Sequence, residues 1–342
     1  MRILSNKLAI TGIQKASEWI GPSSIGYDIS FLDFHSMNDT DYFFLFDPTD
    51  RTLYRSRYLM HDGRQHIATW VSMGAIDTSY AIKPVALFGD IGLALGNPQI
   101  LSSITSYRGY SMWASSSWGN FKTLSTSGNW TNCHITNIIP VYDGILAIGY
   151  KEVNSEKVGI YSKFYLNNSS YVFSTPVTLE TSVINNGVCT GYKCVLVGND
   201  GYIATTQDIR DTSHTWSVSQ AGNKNWLSVA YGDDLFVAVS NDGYITISSD
   251  NGVNWSEPER VINNTSLNKK IIYAKDKFYL AADEYVLPIS INNDTSGLTI
   301  STGVLSKINT NTGGAWTQMC YDDNFEYLFI GNSGGYICRK DL

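Results

Sequence analysis

One short unit recurs along this chain, and it limits the possible fold more than any other feature. Residues 226–245 read WLSVAYGDDLFVAVSNDGYI, residues 316–337 read WTQMCYDDNFEYLFIGNSGGYI, and residues 195–203 read VLVGNDGYI. The tyrosine after the second turn falls at Tyr202, Tyr244 and Tyr336, so the intervals are 42 residues and then 92, twice 46. Each copy opens with an apolar strand ending in an aromatic, then a polar turn such as Gly232-Asp233-Asp234. A second apolar strand follows, Leu235 to Val239 in the clearest copy. It ends in a turn such as Asn-Asp-Gly, a strong hairpin signal because a type I′ turn needs two residues that tolerate positive φ. A third strand starts at the tyrosine. The unit is a β-meander.

Weaker copies fill the intervals. Phe88 to Asn97 (FGDIGLALGN) matches Tyr231 to Asn241, and Tyr142 to Gly149 and Tyr273 to Ala282 repeat the pattern. Phe34 precedes a polar stretch and then Tyr42 to Phe46, and the unit before Val195 aligns near Cys189. First turns therefore sit near 34, 88, 142, 189, 231, 273 and 321. Units of 40–50 residues with four strands each are propeller blades, which cannot bury both faces unless they stack radially. The expected fold is all-β: a seven-bladed β-propeller of four-stranded antiparallel sheets, one domain over residues 1–342. The expected blades are 30–81, 82–137, 138–187, 188–225, 226–270, 271–315, and 316–342 completed by 1–29. In this reading an N-terminal strand fills the C-terminal blade, leaving no open edge there.

Composition fits such a fold and narrows its partners. The chain has 342 residues, 43% hydrophobic, with 29 Gly, 8 Pro, 22 Tyr and 9 Trp, as many short strands and tight turns require. Charged residues make up 16% against a usual quarter, the net charge is −7, and no Lys/Arg run occurs, which argues against nucleic acid. The N-terminal MRILSNKLAITGIQ has no continuous apolar core and no stretch approaches 20 apolar residues, so neither a signal peptide nor membrane insertion is expected. The five cysteines (Cys133, Cys189, Cys194, Cys320, Cys338) show no CxxC spacing and read as free buried thiols, with no metal site and no cofactor.

Ser248-Ser-Asp250-Asn-Gly252-Val-Asn-Trp255 fits S-x-D-x-G-x-x-W where a third strand should turn into a fourth. Asp250 can accept backbone N–H groups, Gly252 can take the left-handed φ, and Trp255 can pack between sheets. A copy at Thr206-Gln-Asp208 carries an insertion before Trp216, and Ser115 to Phe121 is one residue short and lacks the Asp. With this motif the chain resembles the Asp-box (BNR-repeat) propellers, which include sialidases and many non-enzymes. The resemblance implies a structural role for Ser248, Asp250, Gly252 and Trp255, away from any catalytic face.

The chain reads as a non-enzyme. The family's sialidases grip a carboxylate with three arginines, one in Arg-Ile-Pro; Arg2-Ile3-Leu4 departs from that, and four of nine arginines crowd residues 51–64. The Asp233–Asp234 and Asp322–Asp323 pairs read as solvated turn residues, not a glycosidase pair. The five histidines form no ligand pattern, and no G-x-S-x-G elbow or phosphate loop occurs.

Low charge, an Asn/Ser/Thr/Tyr-rich sequence and blades of uneven length point to a virion module, a phage tail or tail-fibre component made in the host cytoplasm. Such a module would recognise a host-surface glycan or an adjoining virion subunit within a larger assembly, as a single copy or as an oligomer. A glycosidase on surface polysaccharide and an Asp-box assembly factor are the alternatives. Sugars stack on exposed aromatic faces; the densest segment for that is Tyr110, Trp113 and Trp118, with Trp70 and Trp130 as further binding candidates, against the reading that these rings are core.

Overall fold

The computed structural model describes residues 19–342 except 27–30, 38–39, 48, 51, 62–63, 68–69, 76–80, 89–90, 98–105, 110–121, 127–129, 131, 142–143, 168–169, 180, 182, 211–214, 264–268, 295–296, 309–313 and 324–325. Every helix or strand among them is a β-strand. β1 is Ile20–Ser24. One sheet then holds β2 (Phe31–Met37), β3 (Thr40–Asp47), β4 (Thr52–His61), β5 (Arg64–Ile67) and β6 (Val71–Ala75). The next strands are β7 (Ala81–Phe88), β8 (Ile91–Asn97), β9 (Ser106–Gly109) and β10 (Lys122–Thr126). They share a nine-stranded sheet with β11 (Cys133–Val141), β12 (Gly144–Val153), β13 (Glu156–Asn167), β14 (Ser170–Phe173) and β15 (Val177–Thr178), because β10 pairs parallel with β14. Two four-stranded meanders follow. One is β16 (Ile184–Thr190), β17 (Lys193–Gly198), β18 (Tyr202–Thr206) and β19 (Ser217–Gln220). The other is β20 (Trp226–Gly232), β21 (Leu235–Ser240), β22 (Tyr244–Ser248) and β23 (Glu259–Arg260). A five-stranded sheet holds β24 (Lys269–Ala274), β25 (Lys277–Ala282), β26 (Tyr285–Asp294), β27 (Gly297–Thr302) and β28 (Ser306–Lys307). In the last sheet β29 (Trp316–Asp322), β30 (Tyr327–Asn332) and β31 (Tyr336–Asp341) are joined by β1, antiparallel to β31.

The first strand of each meander packs against the next: β2 on β7, β7 on β11, β11 on β16, β16 on β20, β20 on β24, β24 on β29, and β29 on β2. Strands buried on both faces should read as apolar runs, and they do: β17 (KCVLVG) and β21 (LFVAVS) are buried almost throughout. The core is made between sheets. Val195, Val197 and Ile203 of one meander meet Trp226, Val229 and Phe236 of the next. Leu45 and Tyr54 meet Cys320, Phe329 and Ile337 across the β2–β29 seam.

One device repeats where the first strands begin. A bulge falls between Ile135 and Asn137, Ile184 and Asn186, Trp226 and Ser228, and Trp316 and Gln318. The extra residue is aimed sideways. Thr136 donates its hydroxyl to the Ile184 carbonyl (2.7 Å), and the Asn185 amide donates to the Trp226 carbonyl (2.8 Å), so these two bulges tie their meanders to the next ones. These strands begin at Cys133 and Ile184, earlier than the expected boundaries at 138 and 188.

Asn-Asp-Gly serves two different turns. At 199–201 both Asp200 (φ 56°) and Gly201 (φ 80°) are left-handed, the type I′ pattern. At 241–243 only Gly243 is (φ 82°), with its N–H on the Ser240 carbonyl. Ser240 makes the difference. Its hydroxyl donates to Asp242 (2.6 Å) and accepts the Tyr244 N–H (3.0 Å); Gly198, at the matching site, has no side chain to do so.

Candidate functional site

In a meander the connection from first to second strand and that from third to fourth lie at the same end. At that end most polar side chains hold turns. In the S-x-D-x-G-x-x-W segment one Asp250 carboxylate oxygen accepts the N–H groups of Val253 (3.1 Å) and Asn254 (2.8 Å) and the Ser248 hydroxyl (2.8 Å); the other accepts the Asn254 amide (2.7 Å). Burial works to raise the Asp250 pKa, and the hydrogen bonds from Asn254, Ser248 and Val253 outweigh it, so the carboxyl titrates below its ordinary value. Gly252 (φ 82°) presses on the preceding meander, where a Cβ would lie 2.8 Å from the Thr205 hydroxyl. Its carbonyl accepts that hydroxyl (2.8 Å) and the Trp255 indole N–H (3.1 Å), and Trp255 packs on the Val195–Trp226 cluster. Lys193 and Gln207 reach across to Asn251. The turn is thus a clasp between neighbouring sheets.

Asp250→Ala is expected to cost about 1–2 kcal/mol at pH 7, the loss of a carboxylate that organises a turn. Since the folded pKa is depressed, this stabilisation is present above the unfolded value of about 3.9 and is lost as pH falls through the folded one. Melting curves of the two proteins should therefore differ at pH 7 and converge below about pH 4; a gap that persists in acid would contradict this account.

Tyrosines line the first turns at this end. Asp233 and Asp234 form the two-residue turn between Gly232 and Leu235, both left-handed, and Tyr231 donates its hydroxyl to Asp234 (2.9 Å). Gly232 lies flat against the Tyr273 ring of the next sheet: a Cβ there would fall 1.9 Å from the ring. Beyond it Lys275 binds Glu326 (2.6 Å) and the Leu342 carbonyl (2.9 Å) near Tyr321. The Tyr231 phenol is pushed up first by its bond to Asp234, those of Tyr273 and Tyr321 first by burial, so all three remain O–H donors. On the other side Arg210 stacks on Tyr192 (3.2 Å) while gripping Asp208 in a bidentate pair (3.0 and 2.7 Å), which holds that carboxyl down at about 2.

The third-to-fourth connection exists in two forms on one anchor. After the Asp250 turn, Ser256 donates its N–H to the Ile247 carbonyl, its hydroxyl accepts the Ile247 N–H, and its carbonyl accepts the Thr246 hydroxyl. Ser174 does the same with Lys163 and Ser162. Gly303 donates to the Pro288 carbonyl; here the third-strand residue has no N–H, and no hydroxyl stands opposite to receive one. Between these anchors one sheet has the clasp, and the other two have hairpins, β13–β14 and β26–β27. Sequence reading missed this, although Phe173-Ser174-Thr175-Pro176 echoes Trp255-Ser256-Glu257-Pro258.

At the opposite end Lys224 pairs with Asp242 (2.7 Å) and lies over the Tyr244 ring (3.6 Å). Lys269, almost fully buried, donates to the Asn241 carbonyl (2.6 Å) of the neighbouring turn. Burial pulls its pKa down, against the pull of Asp283 and Asp242.

Of the aromatic binding candidates, Tyr110, Trp113 and Trp118 lie outside the described residues. Trp70 is half-buried against the Leu45–Phe329 cluster. Trp130 must be corrected: it is 1% exposed, so its faces pack in the core and offer no sugar a platform. The cysteines need a correction as well. Cys133, Cys320 and Cys338 are buried thiols outside any disulfide, but Cys189 and Cys194 form a disulfide across the β16–β17 hairpin, where the register places them directly opposite.

No protein-family model and no curated protein matches the chain. Solved structures do resemble it. A chain in the crystal structure of a mitotic checkpoint complex superposes with a TM-score of 0.66 at 12% identity, covering 100% of this chain and 99% of that one. The WD40 repeats of RRP9 give 0.62 at 11% identity over 95% and 100% of the two chains. YCF48 bound to D1 peptide gives 0.58 at 14% over 99% and 100%. At such identities the likeness is one of fold: the chain is a β-propeller.

Proposed function

We propose that this chain is a non-enzymatic, seven-bladed propeller that acts as a protein-interaction module. Seven first strands packed in succession, the last on the first, support the blade count and a closed ring, and β1 beside β31 supports closure by the N-terminal strand. The observation that carries the binding role is how the carboxylates of the turn-rich rim are employed. Asp208, Asp234, Asp250 and Glu326 are each bonded to a neighbouring side chain or turn, and Asp233, Asp276 and Asp323 are exposed in the first turns, so tyrosine rings, hairpins and turn carboxylates form the surface offered to a partner. Among similar structures, YCF48 is bound to a D1 peptide and another chain belongs to a mitotic checkpoint complex, which favours a protein partner over a small substrate.

The setting we propose is a virion or a comparable assembly, on compositional grounds: 16% charged residues and a surface chemistry built on Asn, Ser, Thr and Tyr. To test the module, the purified chain is panned against a displayed library of random peptides and assayed on a panel of glycosides. Enriched peptides competed by soluble chain, with no hydrolysis, are the expected result. Glycoside turnover without peptide enrichment would overturn it.

A further inference from the structure

Two hairpins on the same anchor differ in one respect. The edge of β14 is occupied: β10, from the preceding sheet, runs parallel to it with Ser125 opposite Val172 and Thr126 opposite Phe173. The matching edge of β27 has no partner strand among the described residues. The two edges correspond residue by residue. Phe164 pairs with Phe173 just before Ser174, and Ile289 pairs with Thr302 just before Gly303. Val172 and Phe173 therefore correspond to Ser301 and Thr302. The preceding sheet cannot cover β27 as β10 covers β14, because its outer strand, β23, has two residues and pairs with β22.

Among the described residues nothing guards the edge of β27. Edge strands are usually protected by shortness, charge or proline. β23 is short and carries Glu259 and Arg260, and β19 has the Asp250 turn against it, with the Ser219 hydroxyl on the Val253 carbonyl. β27 is six residues, Gly-Leu-Thr-Ile-Ser-Thr, with no charge and no proline. Leu298 and Ile300 turn inward onto the core cluster, while Thr299 and Ser301 are exposed. Just beyond it, Val304 is 79% exposed and Leu305 42%, so Val304 is the most open large apolar side chain among the described residues. Asp294 and Gly297 close a two-residue hairpin, so residues 297, 299 and 301 bond to β26 and the N–H and C=O groups of Leu298, Ile300 and Thr302 point out along the free edge.

We propose that β27 is a strand-addition site: an extended, uncharged segment of a partner protein enters parallel to it, as β10 does on β14, bonding to the outward backbone groups of Leu298, Ile300 and Thr302 and covering Val304 and Leu305. Main-chain bonds supply the attachment, and the neutral edge selects a neutral segment. This rests on the reading of the chain as an interaction module.

The probe is a synthetic peptide copying residues 120–127, which contains β10, with Lys122→Thr so that it carries no side-chain charge, alongside peptides recovered from the display library. Amide exchange is followed on the full chain. The expected result is alternating protection: at peptide ten times its Kd, exchange at Leu298, Ile300 and Thr302 slows about tenfold while Thr299 and Ser301 are unchanged. A scrambled peptide has no effect, and Ile300→Pro, which removes an outward N–H, abolishes the protection. The exchange pattern of the unaltered chain decides the matter even if that variant folds poorly. If the 120–127 peptide and the library peptides all leave the three amides unprotected while library peptides still bind elsewhere, the strand-addition site is overturned and the interaction module stands. If the library yields no binder, that reading falls and the site with it.

Discussion

Trp226→Ala is expected to destabilise the chain by about 3–5 kcal/mol, measured as a lower urea midpoint at 25 °C. Trp226 is fully buried at the bulge that opens β20, among Val195, Val197 and Ile203 of the preceding sheet and Val229 and Phe236 of its own. Truncation would leave a cavity between two blades, and the rigid bulge limits how far the walls can relax. The indole N–H has no hydrogen-bond partner among the described residues, so the expected loss is one of packing. Trp226→Phe should accordingly recover more than half of the deficit. Equal losses for Ala and Phe would mean that a polar contact, and not volume, holds the site.

The same residue shows what the sequence discloses and what it conceals. Trp226 and Trp316 stand at the same place in their units, so the repeat could be read from them. Lys269 occupies that place in the sheet between, opposite Ala282 as Trp226 is opposite Ser240. A lysine there hides the period, because its burial is made tolerable by the Asn241 carbonyl of the neighbouring sheet, a contact no local pattern encodes. The clasp at Ser248–Trp255 was legible because its chemistry is local: a carboxylate closing on N–H groups three and four residues on. The hairpins that replace it were not, since strands and turn inside a longer connection have no fixed spacing. Cys189 and Cys194 were within reach. A two-residue turn at Gly191-Tyr192 places residues five apart opposite one another, and Gly191 (φ 59°) marks that turn. An odd cysteine count does not exclude a pair within one hairpin. Trp130 and the tyrosines of the first turns show the remaining gap: an aromatic at a strand end looks the same in sequence whether its ring faces the core or the rim.

Removing residues 1–26 should have an effect of similar size by another route. β1 covers the outer edge of β31, pairing Ile20 with Arg339 and Ser24 with Tyr336, and the Ile25 N–H donates to the Gly335 carbonyl (3.0 Å). Its neighbours serve two seams: Trp19 packs on the Trp316–Leu328 cluster, and Ile25 on the cluster that joins the last sheet to the first. Both are partly buried, so their apolar burial together contributes about 3–4 kcal/mol, and the strand's backbone bonds add about 0.5–1.5 kcal/mol each. For a chain of this size, about 4 kcal/mol corresponds to a melting point lower by about 5–6 °C. The uncovered edge of β31 also becomes a template for association, so the shortened chain should aggregate at concentrations where the full chain does not. A peptide copying residues 15–26, supplied in trans, should restore part of the loss, because the groove it vacates is formed by β31 and the two seams. An unchanged melting point would mean that the last sheet is complete with three strands, and that it holds to the first sheet through the β2–β29 contact without β1.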